Sequence, residues 1–426
     1  RTYLGGGGLA SYYLLRELKP GIDPLSADNI LVFASSVISG VPIAGMVRYT
    51  VAAKSPLTGA YGEAEAGGFW GPELKFSGFD AVIITGKAAK PSYLWINDGK
   101  VEIRSAEKIW GLETGPAQAM IRDELKEKRA RVALIGPAGE NLVRYACVVN
   151  ELKHINGRTG MGAVMGSKNL KAVAVRGTKK MDIHDPEKLR ELSKNLTELI
   201  GQHGPSKMYR KLGTPQFVMP LNTQGILPTR NFRTGFFEGA EKISGERMTE
   251  TILKREEGCY ACSVRCKRVV EVSSGPYATS GNYGGPEYET LSSLGSLLCI
   301  DDLAAIAKGH ELCNRYALDT ISTGVAIGFA MECFEKGILT RADTEGIEFT
   351  FGNPDAMIKG IEWIAFRKPG LGNLLADGVK AAAAKLGQGS ERFSLHIKGQ
   401  ELPMHDPRGK IGQGLSFAVS PTGADH

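Results

Sequence analysis

The stretch Ala172-Val-Ala-Val-Arg-Gly-Thr-Lys-Lys-Met-Asp-Ile-His-Asp-Pro-Glu-Lys-Leu189 sets two kinds of chain end to end. Ala172–Val175 is a short β-branched run closed by Gly177, the pattern of a buried strand. Asp185-Pro186 then offers an N-cap and a first helical residue, and apolar residues recur at helical spacing through Ile200. Upstream, further apolar runs lie between turn signals at Asn29–Ser36, Val47–Ala53, Ala81–Thr85 and Arg131–Ile135. Asn97-Asp98-Gly99-Lys100 between Ser92–Ile96 and Val101–Arg104 predicts a hairpin. Helices are expected at Leu9–Leu18 and Pro116–Lys126. Downstream, Asp301–Ala317, Ile321–Glu335, Asp355–Phe366 and Gly372–Lys385 carry apolar residues three and four apart. The fold class is therefore α+β: a β-rich domain over 1–182, a helical domain over 183–395, and a further element starting at 396–426.

Composition narrows the function. A chain of 426 residues exceeds one simple core, so two or three domains are expected. Its 54 glycines cluster at turns and motifs instead of forming a linker. Net charge is +6, with Lys and Arg scattered, which gives nucleic-acid binding little support. Seven cysteines, three of them within eight residues, do not make a disulfide framework; a reducing, cytoplasmic compartment and metal chemistry fit better. No apolar run reaches the roughly 18 residues of a membrane span. The abrupt start at RTYLGGGG and end at TGADH suggest a truncated chain.

Cys259, Cys262 and Cys266 stand in C-x2-C-x3-C spacing within Gly258–Lys267. Thiolates so close can wrap one metal centre from a single loop; the alternative is a set of buried free thiols. A structural zinc would want a fourth Cys or His close by, and none follows in the next thirty residues. A [4Fe–4S] cluster with a distant fourth ligand is the better reading. Cys299, Cys313 and Cys333 sit in apolar helical stretches and read as core.

Several longer motifs resemble the aldehyde ferredoxin oxidoreductases, in the same order along the chain. They are Lys54-Ser-Pro-Leu-Thr-Gly59, Gly67-Gly-Phe-Trp-Gly-Pro-Glu-Leu-Lys75, Gly157-Arg-Thr-Gly-Met-Gly-Ala-Val-Met-Gly-Ser-Lys168 and Gly285-Pro-Glu-Tyr-Glu289. Asn314-Arg-Tyr-Ala-Leu-Asp319, His405-Asp-Pro-Arg-Gly409 and Gly423-Ala-Asp-His426 complete the set. The resemblance implies a β-rich base holding tungsten, or molybdenum, on the dithiolenes of two pterins, with helical domains above it. It makes Arg48, Gly67, Gly68, Arg158, Thr159, Gly160 and Asn314 cofactor-binding candidates. A guanidinium such as that of Arg158 can grip a phosphate bidentately. Glu65 stands where relatives often carry Asn beside a magnesium ion, and a carboxylate also suits that hard cation. Asn314-x-x-Ala-Leu-Asp319 is a degenerate version of the family's D-x-x-G-L-[DC] clamp. A second clamp, with the fourth cluster cysteine, is expected beyond the given sequence.

The implied reaction is oxidation of an aldehyde to a carboxylic acid, with electrons leaving through the cluster to ferredoxin. A buried carboxyl near the metal can take a proton from water; Glu289 matches that role, with Glu287 as its rival. Tyr288 and His426 match positions that hydrogen-bond the substrate oxygen. Two other readings stay open here: a related tungsten enzyme acting on an aromatic thioester, and a non-catalytic zinc module. Relatives commonly form homodimers.

Overall fold

A computed structural model describes residues 2–425. Its N-terminal part is built on two sheets. One is antiparallel, with Tyr61–Ala66, Tyr49–Lys54, Leu31–Ser35 and Ala81–Ile84 in that order. The other has six strands in the order Lys100–Ser105, Ser92–Asn97, Leu170–Arg176, Arg131–Leu134, Val148–Asn150 and His154–Asn156. Within it only Ser92–Asn97 and Leu170–Arg176 run parallel. Between the sheets lies a core of Leu31, Phe33, Tyr49, Val51, Trp70, Val164 and Val173. Trp70 Nε1 donates to the Val173 carbonyl at 2.9 Å, so even the indole N–H inside this core is satisfied.

The hairpin forms where Asp98 (φ 46°) and Gly99 (φ 90°) supply the two positive φ angles of a tight turn. Three elements were less legible. Tyr61–Ala66 reads YGEAEA, weak in β-branched residues, and is made a strand by pairing with Tyr49–Lys54. Met161–Ser167, from the glycine-rich run, is a wholly buried helix. The single helix expected over Gly372–Lys385 is two, Leu371–Leu375 and Val379–Leu386, because Gly378 at φ 86° breaks it.

Beyond residue 185 the chain is mainly helical. Leu303–Tyr316, Thr320–Glu335 and Pro354–Ala365 pack in one large apolar core with Tyr288–Leu294. Asp302, Asp319 and Asn353 cap the first three through their side chains. Two small β-hairpins, Leu253–Glu257 with Lys267–Val270 and His396–Ile397 with Gln400–Glu401, interrupt the helices. The last segment folds back onto the base: Gln400 Nε2 donates to the Ala424 carbonyl at 2.8 Å, and Arg158 Nη2 to the Glu401 carbonyl at 2.6 Å. No helix among the described residues is long and apolar enough to cross a membrane.

Candidate active site

Two adjoining cavities lie between the sheets and the helices. The first, about 520 Å³, is walled by Arg158, Asn314, Asp319 and His310. The second, about 620 Å³, is walled by Cys259, Cys262, Cys266, Tyr288 and His405. Arg48, Glu65, Lys267, Glu287 and Glu289 line both, so the two are one continuous site.

The cysteines sit in the turn of the Leu253–Lys267 hairpin, a placement that turns their spacing into a cradle. Ala261 and Arg265 take positive φ within it, and Arg268 Nη2 braces the Arg265 carbonyl at 2.8 Å. The base approaches closely: a Cβ on Gly67 would lie 2.9 Å from Cys259 Sγ. Gly68, at φ 94°, would drive a Cβ to 2.8 Å from the His154 ring. Gly67 thus meets the cysteine loop at the second cavity, whereas Gly68 holds the backbone turn beneath it. Burial pushes the Cys259 thiol up, and the Cys266 thiol up to about 11. Burial thus favours the thiol form, and a bound metal would displace the proton to give the ligating thiolate. Among the described residues no three His, Cys, Asp or Glu side chains gather closely enough to hold a single ion. Cys313 and Cys333 are buried in the helical core, with Cys299 packed against it.

Arg158 is the centre of the first cavity. Its Nε lies 3.2 Å from Asp319 Oδ2, its Nη2 is bound to the Glu401 carbonyl, and its buried Nη1 has no hydrogen-bond partner among the described residues. Burial raises the Asp319 pKa, and Arg158 opposes that. Asn314 Oδ1 and His310 Nδ1 are likewise buried without partners, while Asn314 Nδ2 donates to the Tyr283 carbonyl at 2.8 Å. Buried polar atoms are nearly always satisfied, so three orphans on one cavity wall fit a polar ligand. Thr159 (φ 66°) and Gly160 do not reach that wall: Thr159 Oγ1 donates to Glu63 O, and a Cβ on Gly160 would sit 2.0 Å from the Arg144 carbonyl. They form the turn that aims Arg158. Arg48 pairs with Glu65 at 3.6 Å, both about half exposed at the cavity rim.

Glu287 and Glu289 differ because the helix begins between them. Glu287 is the residue before Tyr288–Leu294, and its carboxylate takes Lys267 Nζ at 2.8 Å and Thr214 Oγ1 at 2.5 Å. That pairing holds its pKa below the ordinary value despite burial. Glu289, in the first turn, accepts from Met404 N at 2.8 Å and faces His405 Nε2 at 3.2 Å. Burial dominates there and pushes its carboxyl up to about 7. One carboxyl is therefore a fixed anion and the other a group able to exchange a proton near neutrality. Tyr288, expected to donate to a substrate oxygen, instead donates its hydroxyl to the Met404 carbonyl at 2.5 Å and stacks on His405. His426 lies outside the described residues. His405, His310, Lys267 and Lys410 escaped the sequence reading; His405 stood inside a recognised motif, but only the fold sets it against Glu289.

The family models for the N-terminal domain and for domains 2 and 3 of aldehyde ferredoxin oxidoreductase match residues 1–177 and 191–426. A tungsten-containing aldehyde ferredoxin oxidoreductase of Pyrococcus horikoshii is 42% identical over all of this chain and 70% of its own length. The WOR-like subunit of an aliphatic sulfonate oxidoreductase of Pyrococcus furiosus is 32% identical over the whole chain and 71% of its length. Among solved structures, the active-site complex BamBC of benzoyl coenzyme A reductase with 1,5-dienoyl-CoA superposes with a TM-score of 0.85 at 29% identity. That alignment covers 99% of this chain, which spans 65% of the solved one. With the thiol cradle, the arginine-walled cavity and the matches along its whole length, this chain belongs to the aldehyde ferredoxin oxidoreductase family.

Proposed function

We propose that the chain oxidises aldehydes to carboxylic acids and passes the electrons to ferredoxin. The observation that carries this reading is Glu289, a buried carboxyl poised at about 7 where the two cavities meet. The walls fit a tungsten or molybdenum bis-pterin on one side: Arg158 Nη1 and His310 Nδ1 for anionic and polar atoms, Asn314 Oδ1 to accept from a ring amine. On the other side Cys259, Cys262 and Cys266 would hold a [4Fe–4S] cluster, the fourth ligand being supplied from elsewhere. Cysteine thiolates lining one cavity are the usual ligands of such a cluster. Bound there, these groups would supply a two-electron acceptor and a one-electron exit.

The chain's own residues do the rest. Glu289 takes a proton from the water that becomes the acid's second oxygen. Lys267, lining both cavities, pairs with Glu287 and holds it ionised, which leaves Glu289 as the one of these two carboxyls able to exchange a proton near neutrality. Tyr288 and Met404 fix the loop that closes over the carboxyl. A magnesium ion at Glu65 would have to share that carboxylate with Arg48. Free thiols of this kind suit a reducing cytoplasm. An aromatic thioester is the second reading, drawn from the benzoyl coenzyme A reductase likeness; the 42% identity to aldehyde-oxidising relatives, against 29%, favours aldehydes. Metal analysis after anaerobic purification tests the cofactor set. Tungsten or molybdenum with pterin and about four irons supports it, whereas zinc as the sole metal overturns it.

A further inference from the structure

The loop after Met404 brings a histidine and a lysine into line behind Glu289. Asp406 starts a tight turn, its carbonyl accepting from Gly409 N at 3.2 Å and Lys410 N at 2.9 Å. Arg408 clamps the turn, with Nη2 on Asp406 Oδ2 at 2.6 Å and on the Phe232 carbonyl at 2.6 Å. His405 and Lys410, five residues apart, thereby meet at 2.8 Å between Nδ1 and Nζ. The opposite ring nitrogen, Nε2, faces Glu289 Oε1 at 3.2 Å. Stacking on Tyr288, with ring centroids 5.5 Å apart, holds the imidazole in this plane. Glu289 and His405 side chains are each 17% exposed, while Lys410 is only partly covered and reaches solvent.

We propose that His405 and Lys410 form a proton relay that empties Glu289 to bulk water after each turnover. This rests on Glu289 being the base of the proposed oxidation. The steps balance without an oxidant. The Glu289 O–H bond breaks as His405 Nε2–H forms, His405 Nδ1–H breaks as Lys410 Nζ–H forms, and the ammonium loses that proton to water. The imidazole exchanges one tautomer for the other and no electrons move. A bifunctional ring with both nitrogens engaged is what such a transfer requires. Burial lowers the Lys410 pKa, and Glu289 opposes this. Among the described residues, Arg158 also favours the Glu289 anion and Asp319 disfavours it; Glu287, Lys267 and Asp425 share its cavity. Glu287 and Lys267 neutralise each other.

The test uses the metal-loaded full-length protein and its His405→Gln and Lys410→Met variants. Glutamine can occupy the imidazole's place but cannot shuttle a proton between two faces. Both variants should lose about tenfold or more in kcat, with KM nearly unchanged, a larger solvent deuterium isotope effect, and partial rescue of His405→Gln by added imidazole. Independently of turnover, infrared difference titration of the Glu289 carboxyl should move upward in His405→Gln, since the imidazole contact at 3.2 Å that can stabilise its anion is lost. Unchanged kcat, isotope effect and carboxyl titration in both variants would overturn the relay. Loss of turnover without imidazole rescue or an altered isotope effect would also overturn it, because that is what a merely structural loop would give. A wild type inert toward aldehydes would instead defeat the reading of the reaction, and the infrared titration would still decide whether His405 addresses Glu289.

Discussion

Replacing Glu289 by Gln should stabilise the protein at alkaline pH while removing its base. Burial moves the carboxyl from 4.5 to about 7, and at about 1.4 kcal/mol per pKa unit keeping it ionised in the fold costs on the order of 3 kcal/mol. The side chain is 17% exposed, so solvent screening makes this an upper figure. The sign follows from proton counts. Below pH 4.5 the folded and unfolded chains both carry the proton, and the variant gains nothing. Between 4.5 and about 7 the unfolded chain ionises first, so the wild type loses stability as pH rises. Above about 7 the full cost is paid, and the neutral amide, which can still accept from Met404 N, escapes it. For 426 residues this amounts to about 3 °C in Tm, taking about 2 cal/mol/K of unfolding entropy per residue. Calorimetry of both proteins at pH 5 and pH 8 reads it directly. Glu289→Gln should melt higher by that margin at pH 8 and by little at pH 5. Equal melting at both values, or a wild type that gains on the variant as pH rises, would refute a burial-raised carboxyl.

Three further outcomes follow from the same geometry. Gly67→Ala places a methyl 2.9 Å from Cys259 Sγ, so iron bound per chain should fall well below the wild-type value in metal analysis while far-ultraviolet circular dichroism stays unchanged. Lys267→Met leaves the Glu287 carboxylate, 32% exposed, without its cation beside Cys266; with solvent screening, unfolding titration should show a loss of about 1 kcal/mol, and the cluster potential read by electron paramagnetic resonance should fall. Arg158→Met leaves Asp319 without its cation, costing about 3 kcal/mol in the same titration, and pterin released on denaturation should drop sharply.

The sequence showed the two halves of the fold because strand and helix periods are local, and Asp185-Pro186 marks where one gives way to the other. It did not show Tyr61–Ala66, whose strand state comes from the neighbour it pairs with. The Gly378 break was missed because a lone glycine inside a helical pattern is ordinarily tolerated. The cysteine loop was plain from spacing, but its hairpin was not: Leu253–Glu257 is charged and alternates poorly. Arg158 was named through its motif and lines the first cavity in the structure, while its neighbours Thr159 and Gly160 form the bend that carries it. Glu289 was separated from Glu287 only by the resemblance; in the structure a helix starts between them, which sets one beside Lys267 and the other beside His405. His405 and Lys410 lie 116 and 121 residues beyond Glu289 in the chain, and no local pattern reports a contact at that distance.

The central claim is that Glu289 is the proton acceptor of an aldehyde-oxidising centre, and anaerobic turnover of wild type and Glu289→Gln with an aldehyde and a ferredoxin or viologen acceptor tests it most directly. Wild type should reduce the acceptor and release carboxylic acid. The variant should be slowed about a hundredfold or more with its tungsten, iron and pterin contents intact. Equal rates from the two proteins at equal cofactor content would contradict it.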